Sequence, residues 1–92
     1  MKTFLVTTYL VENAAEKRAP WREAHLANLR RLHTAGQLVL GGALQDPMDA
    51  GVLVLRAASK DEALALLADD PYQLNGVWTK ITAREWSVVV GL

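Results

Sequence analysis

The chain has no cysteine, no net charge and no long apolar run, and each absence excludes a class of protein. Without cysteine there can be no disulfide, no thiolate metal site and no thiol nucleophile. Ten basic side chains balance ten acidic ones, which argues against nucleic acid as a partner, because binding phosphates requires a basic surplus or stripe. No apolar stretch approaches the ~20 residues that a membrane-spanning helix needs, so we expect no membrane partner.

The sequence also lacks the short motifs of several enzyme classes. It has neither a G-x-G-x-x-G nor a Walker lysine for binding phosphates, and no G-x-S-x-G turn for a serine nucleophile. Its two histidines, His25 and His33, lie about 80° apart around one predicted helix, which argues against a shared metal ion. The polar Thr7 and Thr8 interrupt the first apolar run, so no signal peptide is predicted. We therefore expect a cytoplasmic protein without a cofactor or a metal.

Hydrophobic residues, in contrast, make up 51% of the 92 residues. This length predicts one domain over residues 1–92, because domains usually run to ~100–150 residues. A chain this short exposes much of its surface, and so high an apolar content predicts that another chain buries one face.

The hydrophobic pattern and the turn residues predict four strands and two helices. β-branched and aromatic residues indicate the strands, Pro20 and a Ser59–Glu62 capping box indicate the helix starts, and Gly36 indicates the end of the first helix. Pro71 is expected to end the second helix. The predicted strands are 3–11, 37–44, 51–58 and 77–82, the helices are 20–36 and 60–69, 12–19 is a polar connection, and 85–92 is an extra strand or a tail.

The order β-α-β-β-α-β is that of the ferredoxin-like split βαβ plan, an α+β fold in which two helices cover one face of a four-stranded antiparallel sheet. The other face would meet solvent. However, the first strand carries Phe4 and Val6 on one side and Leu5 and Tyr9 on the other, and a solvated face should alternate more cleanly. We therefore expect a homodimer in which a second copy of the chain covers the open sheet face.

His25 is the best candidate for proton transfer. At 100° per residue, Trp21, Leu32, His25 and Leu29 share an apolar stripe about 80° wide, so the imidazole should face the sheet. Such a buried ring needs a hydrogen-bond partner. From this pattern alone, a core histidine bonded to a backbone carbonyl is the favoured interpretation, and a general acid–base group is the alternative.

The adjacent aspartates at the end of the second helix should behave differently. Asp69 falls on the polar side with Glu62. Asp70 precedes Pro71, which pushes it out of the helical region, so the turn sets its direction. A polar helix end with an Asx-type turn explains the pair. Alternatively, Asp70 meets a hydrogen-bond donor or a cation, which His25 could supply.

Three further residues are candidates for binding a substrate. Arg22 lies one residue off the apolar stripe and could reach an anionic compound, although an ordinary surface arginine would look the same. Tyr72 could line a pocket or cover the core. Gly41 and Gly42 interrupt the second strand, which indicates a bulge or a place where another group approaches the backbone of Gly42 closely.

The sequence resembles the YCII-related (YciI-like) family. The resemblance rests on WREAH at 21–25, L-x-x-L-H-x-x-G-x-L at 29–38, GGAL at 41–44 and DDPYQLNGV at 69–77, and it covers nearly the whole chain. It departs from the family pattern at Glu23, where proline often follows the arginine. The resemblance implies a dimeric α/β barrel and a histidine–aspartate pair, which carries over onto His25 and Asp70.

One known activity in that family is the elimination of chloride from a chlorinated hydroxyquinol. The resemblance therefore implies a small lyase or isomerase that moves a proton on a cyclic or aromatic compound, with His25 and Asp70 as the catalytic pair. Arg22, Tyr72 and Gly42 are the residues that we expect to bind its substrate. Two alternatives stay open: a dimer that only binds a small ligand, and a dimer with a purely structural role.

Overall fold

A computed structural model describes residues 1–91. Its elements are β1 (Lys2–Leu10), α1 (Ala14–Lys17), a single 3₁₀ turn (Ala19–Trp21), α2 (Arg22–Thr34), β2 (Leu38–Ala43), β3 (Ala50–Ala57), α3 (Lys60–Ala65), α4 (Pro71–Leu74) and β4 (Trp78–Glu85). None of the helices within residues 1–91 is long and apolar enough to cross a membrane.

The four strands form one antiparallel sheet in the order β2-β3-β1-β4. Helix α2 packs on β2, α3 packs on β3 and β4, and α4 packs on β4 and on α2, so the helices share one face of the sheet. This architecture confirms the predicted α+β, ferredoxin-like fold. The predicted Ser59 cap also forms, since the Glu62 N–H donates to the Ser59 hydroxyl at 3.1 Å and starts α3.

Strand alternation decides which side chains form the core. On β1, Phe4, Val6 and Thr8 face the helices and are buried. The opposite positions, Leu5 and Tyr9, lie on the face that no helix covers, as the period of two along a strand requires. The buried apolar residues on the helix side belong to one cluster, which comprises Phe4, Val6, Leu32, Leu38, Leu53, Leu55, Ala57, Ala63, Leu67, Tyr72, Val77, Trp78 and Ala83.

The uncovered face of the sheet carries apolar residues beside polar and charged ones, since Arg84 pairs with Leu5 and Thr82 with Thr7. Leu5 and Leu40 both pair with Val54 and therefore share that face. The side chain of Leu40 is 53% exposed, and Tyr9 is 41% exposed. Beyond β4, residues 86–91 form no strand, so the extra element predicted there is a tail, in which Trp86, Val89 and Val90 are exposed.

Two local predictions were wrong, and a third was met by one of its two alternatives. The connection at 12–19 contains α1, whose Ala14 is buried. At the glycine pair the close approach is found, because an added Cβ at Gly41 would collide with the Leu53 side chain, whereas the irregularity in β2 falls between Leu38 and Leu40. Pro71 does not follow a long helix. It opens α4, because α3 ends at Ala65.

Candidate functional site

The turn before α4 sets the position of Asp70. Pro71 keeps Asp70 out of the helical region, at φ −62° and ψ 136°. In this extended conformation Asp70 is the N-cap of α4, and its Oδ1 accepts a hydrogen bond from the Tyr72 backbone N–H at 2.9 Å. Asp70 therefore lies at the start of a helix, where a negatively charged side chain is stabilising.

Two side chains of α2 reach the same carboxylate. His25 Nδ1 lies 2.7 Å from Asp70 Oδ1, and the Asn28 amide donates to Oδ2 at 2.8 Å. The Asn28 oxygen in turn accepts from the guanidinium of Arg31 at 2.7 Å. Asp70 is 0% exposed, and three donors converge on it, which is the environment of an ionised carboxylate.

These contacts assign the histidine tautomer. Because an ionised carboxylate only accepts hydrogen bonds, His25 Nδ1 carries the hydrogen and donates it. The ring is stacked on Tyr72, with centroids 3.7 Å apart and planes 8° apart. The Trp78 ring meets His25 edge-on at 5.5 Å. Held by Tyr72 on one face, by Trp78 at the side of the stacked pair and by Asp70 at Nδ1, the imidazole has little freedom to rotate, and in its neutral form its lone pair is on Nε2.

His25 lies on the wall of a cavity of about 160 Å³ between α2 and the sheet. The histidine and the three glycines of the wall are accompanied by a mostly apolar set of side chains. The lining residues are Thr8, Leu10, Arg18, Arg22, His25, Leu26, Leu29, Gly41, Gly42, Ala43, Gly51, Leu53, Tyr72 and Trp78. Gly51 keeps the floor open beside Thr8, since an added Cβ would lie 2.7 Å from the Thr8 hydroxyl oxygen.

The Tyr72 side chain also lines the cavity, and its surroundings shift the pKa of its hydroxyl. Burial raises the pKa of Tyr72 above its usual value, and the nearby charge of Asp70 acts in the same direction. Arg18 and Arg22 oppose this rise in pKa, because their positive charges favour the phenolate. At neutral pH the hydroxyl is therefore protonated and can donate a hydrogen bond.

The candidates from the sequence lie together. His25 and Asp70, which are 45 residues apart, form a hydrogen-bonded pair, and Arg22, Tyr72 and Gly42 line the cavity beside it. Tyr72 both lines the cavity and belongs to the core, so the two roles considered for it coincide.

The neighbouring candidates fall outside the site. Trp21 was expected in the buried stripe of α2, but it is 39% exposed, because it belongs to the 3₁₀ turn that precedes α2. Asp69 is exposed, as predicted. His33 is exposed, and its Nδ1 lies 2.8 Å from the backbone carbonyl of Leu38.

Sequence reasoning missed two functional candidates. Asn28 is three residues after His25, on the same side of α2, so the helical spacing could have identified it as a second donor to Asp70. Arg18 gave no such signal, because it lies outside the predicted helix and reaches the cavity only through the turn between α1 and α2. Within residues 1–91, no three histidine, cysteine or acidic side chains converge in a way that could hold a metal ion.

Comparisons with known proteins agree with this architecture. The model of the YCII-related domain matches residues 1–87. Protein YciI of Escherichia coli O6:H1 is 31% identical over 86 residues, which cover 84% of this chain and 88% of that protein. Protein YciI of Shigella flexneri is likewise 31% identical over 86 residues, with the same coverage of 84% and 88%.

Two solved structures share the fold. One is the 5-chloro-2-hydroxyhydroquinone dehydrochlorinase TftG from Burkholderia phenoliruptrix AC1100 in complex with 2,5-dihydroxybenzoquinone, with a TM-score of 0.78, 22% identity and coverage of 92% of this chain and 93% of that chain. The other is a candidate antibiotic biosynthesis monooxygenase from Nitrosomonas europaea, with a TM-score of 0.64, 12% identity and coverage of 98% and 100%. At these identities the likeness shows the fold alone.

Proposed function

The chain belongs to the YCII-related domain family, and we propose that residues 1–92 act as one domain, a cofactor-free acid–base enzyme for a small cyclic or aromatic compound. The observation that carries the proposal is the orientation of His25. Its Nδ1 is bonded to the fully buried Asp70, while the ring lies on the wall of an apolar cavity. A tautomer fixed by a buried carboxylate leaves Nε2 as the proton acceptor.

In the proposed reaction, His25 Nε2 takes a proton from a C–H or O–H bond of the substrate. The electron pair of that bond moves into the ring of the substrate. In an isomerase, the imidazolium then returns the proton to a different atom of the same compound. In a lyase, the electron pair expels a leaving group such as chloride, and the proton passes from His25 to water. Asp70 stabilises the positive charge on the imidazolium in both cases.

The remaining candidates would hold the substrate. The neutral Tyr72 hydroxyl can donate a hydrogen bond, Arg22 can contact a polar substituent, and the backbone at Gly42 can meet the edge of the ring. The lyase version is supported by the shared fold with TftG, which is named as a dehydrochlorinase of a chlorinated hydroxyquinol. The apolar wall suits an aromatic or cyclic body better than an extended polar one.

Proton transfer can be measured without knowing the natural substrate. A panel of cyclic ketones, hydroxyquinols and chlorinated hydroxyquinols would be incubated with the protein in D₂O, with deuterium incorporation followed by NMR and chloride release by ion chromatography. We expect at least one compound to exchange a C–H proton or to lose chloride with the wild type, and His25→Gln to remove that rate. Equal rates for wild type and His25→Gln across the panel would overturn the proposal.

The same experiment separates the two alternatives. If a ring compound binds but neither exchanges a proton nor loses chloride, the protein is a ligand-binding module. If no compound of the panel binds and His25→Gln changes only the free energy of unfolding, the histidine has a structural role. Both outcomes contradict the enzymatic proposal.

We also propose that a second copy of the chain covers the open face of the sheet. Leu5 and Leu40 lie on that face, and the tail presents Trp86, Val89 and Val90. Sedimentation equilibrium should give the mass of a dimer, and Leu40→Arg should shift it toward a monomer. Leu74→Arg is the matched control, because Leu74 is 66% exposed on α4 at the helix side. A monomeric wild type would contradict this arrangement.

A further inference from the structure

The ionisable side chains on the cavity wall carry charge of one sign. Arg18 and Arg22 line the cavity together with His25 and Tyr72, and no aspartate or glutamate lines it. Asp70 lies behind the imidazole, fully buried, and its oxygens already accept hydrogen bonds from His25, Asn28 and the α4 backbone. Arg18 and Arg22 therefore give the wall two permanent positive charges.

Neither arginine has an acidic partner in the described part of the chain. Among the lysine and arginine side chains within residues 1–91, the one salt bridge joins Lys2 to Glu85. Both arginines line the cavity together with Tyr72, and their positive charges lower the pKa of its hydroxyl. Tyr72 is stacked directly on His25, with ring centroids 3.7 Å apart, so the two arginines share one cavity wall with the candidate base.

The cavity has the size of one six-membered ring. Its volume is about 160 Å³, and an engineered apolar cavity of about 150 Å³ is known to bind benzene. Leucine side chains and the Trp78 ring supply most of the remaining wall. A flat apolar ring therefore fits the cavity. A polar substituent on that ring would bind most favourably next to the two guanidinium groups.

We propose that the cavity takes a planar ring oxyanion, meaning a carboxylate, enolate or phenolate on a single ring, and that Arg18 and Arg22 bind the oxyanion. As the site of a substrate this assignment rests on the proposed proton transfer at His25, but the binding itself does not require catalysis. Guanidinium groups bind planar oxyanions through parallel, charge-assisted hydrogen bonds. Where the anion forms only on deprotonation, the same contacts stabilise the product of the proton transfer and lower its barrier.

Paired probes of equal shape isolate the charge. Benzoate would be compared with benzamide, and 4-nitrophenolate with 4-nitroaniline, by titration followed by NMR of the amide of Gly51 and the indole of Trp78 at pH 8. We expect at least one anion to bind about tenfold more tightly than its neutral counterpart. Raising the salt concentration from 0.02 M to 0.5 M should weaken the binding of the anion and leave the affinity for the neutral probe unchanged.

Substitutions then locate the contact. Arg18→Gln and Arg22→Gln should each lower the affinity for the anion about tenfold. The affinity for the neutral probe should change by less than about twofold. Arg30→Gln is the control, because Arg30 is exposed on the same helix and does not line the cavity. Equal binding of both probes in each pair, or Arg18→Gln and Arg22→Gln variants that bind the anion like the wild type, would overturn the proposal.

His25→Gln distinguishes this proposal from the proposed function. It removes the base but keeps both arginines, so it should still prefer the anion. If the preference survives in His25→Gln while no compound is turned over by the wild type, anion binding stands and the enzymatic proposal fails. If the wild type turns over a neutral ring compound and binds neither anion, the enzymatic proposal stands and the anion site fails.

Discussion

The two histidines of α2 present the same chemistry in two different settings. Each is held at Nδ1, His25 by the Asp70 carboxylate at 2.7 Å and His33 by the Leu38 carbonyl at 2.8 Å. His25 is 8% exposed and lies on the cavity wall, whereas His33 is exposed at the end of the helix. Fixing a tautomer is therefore common to both rings, and it does not by itself make a site.

Two features distinguish His25 from His33. The group that accepts its Nδ1 hydrogen is a carboxylate, and the ring lies on the wall of a cavity. A carboxylate stabilises a proton that arrives at Nε2, and a backbone carbonyl does so far less. The adjacent aspartates also differ by position and not by type. Asp70 is buried with three hydrogen-bond donors, whereas Asp69 is exposed in the preceding turn. The paired substitutions below test whether position, and not residue type, creates the function.

The largest change in the free energy of unfolding is expected from substitution of Asp70, compared with its neighbour Asp69. Asp70→Ala removes the acceptor of three buried or partly buried donors and the N-cap of α4, so it should lower the free energy of unfolding by about 3 to 5 kcal/mol. Asp69→Ala should change it by less than about 0.5 kcal/mol. Urea unfolding measures both. Asp70→Asn, which keeps one acceptor oxygen, should fall between them, and equal effects at the two positions would contradict the buried network.

The second comparison concerns the rate of proton transfer. His25→Gln should lower the rate on any compound that the wild type turns over by about a hundredfold or more, the usual contribution of a general base. His33→Gln should leave the rate unchanged, because His33 does not line the cavity. Deuterium incorporation into the compound is the measurement. A loss of rate that is equal in the two variants would point to general destabilisation instead of chemistry at His25.

A smaller effect is expected at Asn28, which we regard as a positioning residue. Asn28→Ala removes the hydrogen bond to Asp70 Oδ2 and should cost about 1 kcal/mol of stability. It should also lower kcat several-fold with little change in KM, since the carboxylate is less well held while the cavity is unaltered. Arg31→Gln removes only the contact behind Asn28 and should do less. A change confined to KM would refute the positioning role.

The smallest effect on stability at neutral pH is expected for Tyr72→Phe. Its effect should become measurable only in alkaline solution. Burial raises the pKa of Tyr72 in the folded protein, so the folded chain holds the phenolic proton more tightly than the unfolded chain. The corresponding stability is fully present below the unfolded pKa of about 10 and is lost as the pH rises through the higher folded value. Urea unfolding midpoints measured from pH 8 upward should therefore fall less steeply in Tyr72→Phe than in the wild type.

The regular part of the fold was predictable because it depends on local patterns. Alternation identified the strands, and Ser59 identified the start of α3. The proline effect correctly separated Asp70 from Asp69, although the sequence did not reveal that Pro71 begins a new helix. That outcome depends on where α3 stops, which tertiary packing decides. Likewise Trp21 follows the helical period in the sequence, but it lies in a 3₁₀ turn, where that period does not hold.

The site itself was predictable only in part. Periodicity placed His25 on the inner face of α2 and left its pairing with Asp70, 45 positions away, as one alternative, which the family resemblance then favoured. Arg18 could not be found, because its approach to the cavity depends on how α1 and the 3₁₀ turn orient the chain before α2. Long-range geometry of this kind is set by the sheet and its helices together, and no local pattern encodes it.

The most direct test is a crystal structure of the protein with a bound ring compound, chosen from those that bind in solution. Our account predicts that the ring lies in the cavity between α2 and the sheet, with one of its atoms about 2.6 to 3.2 Å from His25 Nε2 and with the Nδ1–Asp70 hydrogen bond intact. A compound bound on the open face of the sheet, or one in the cavity with Nε2 turned away from it, would contradict the account.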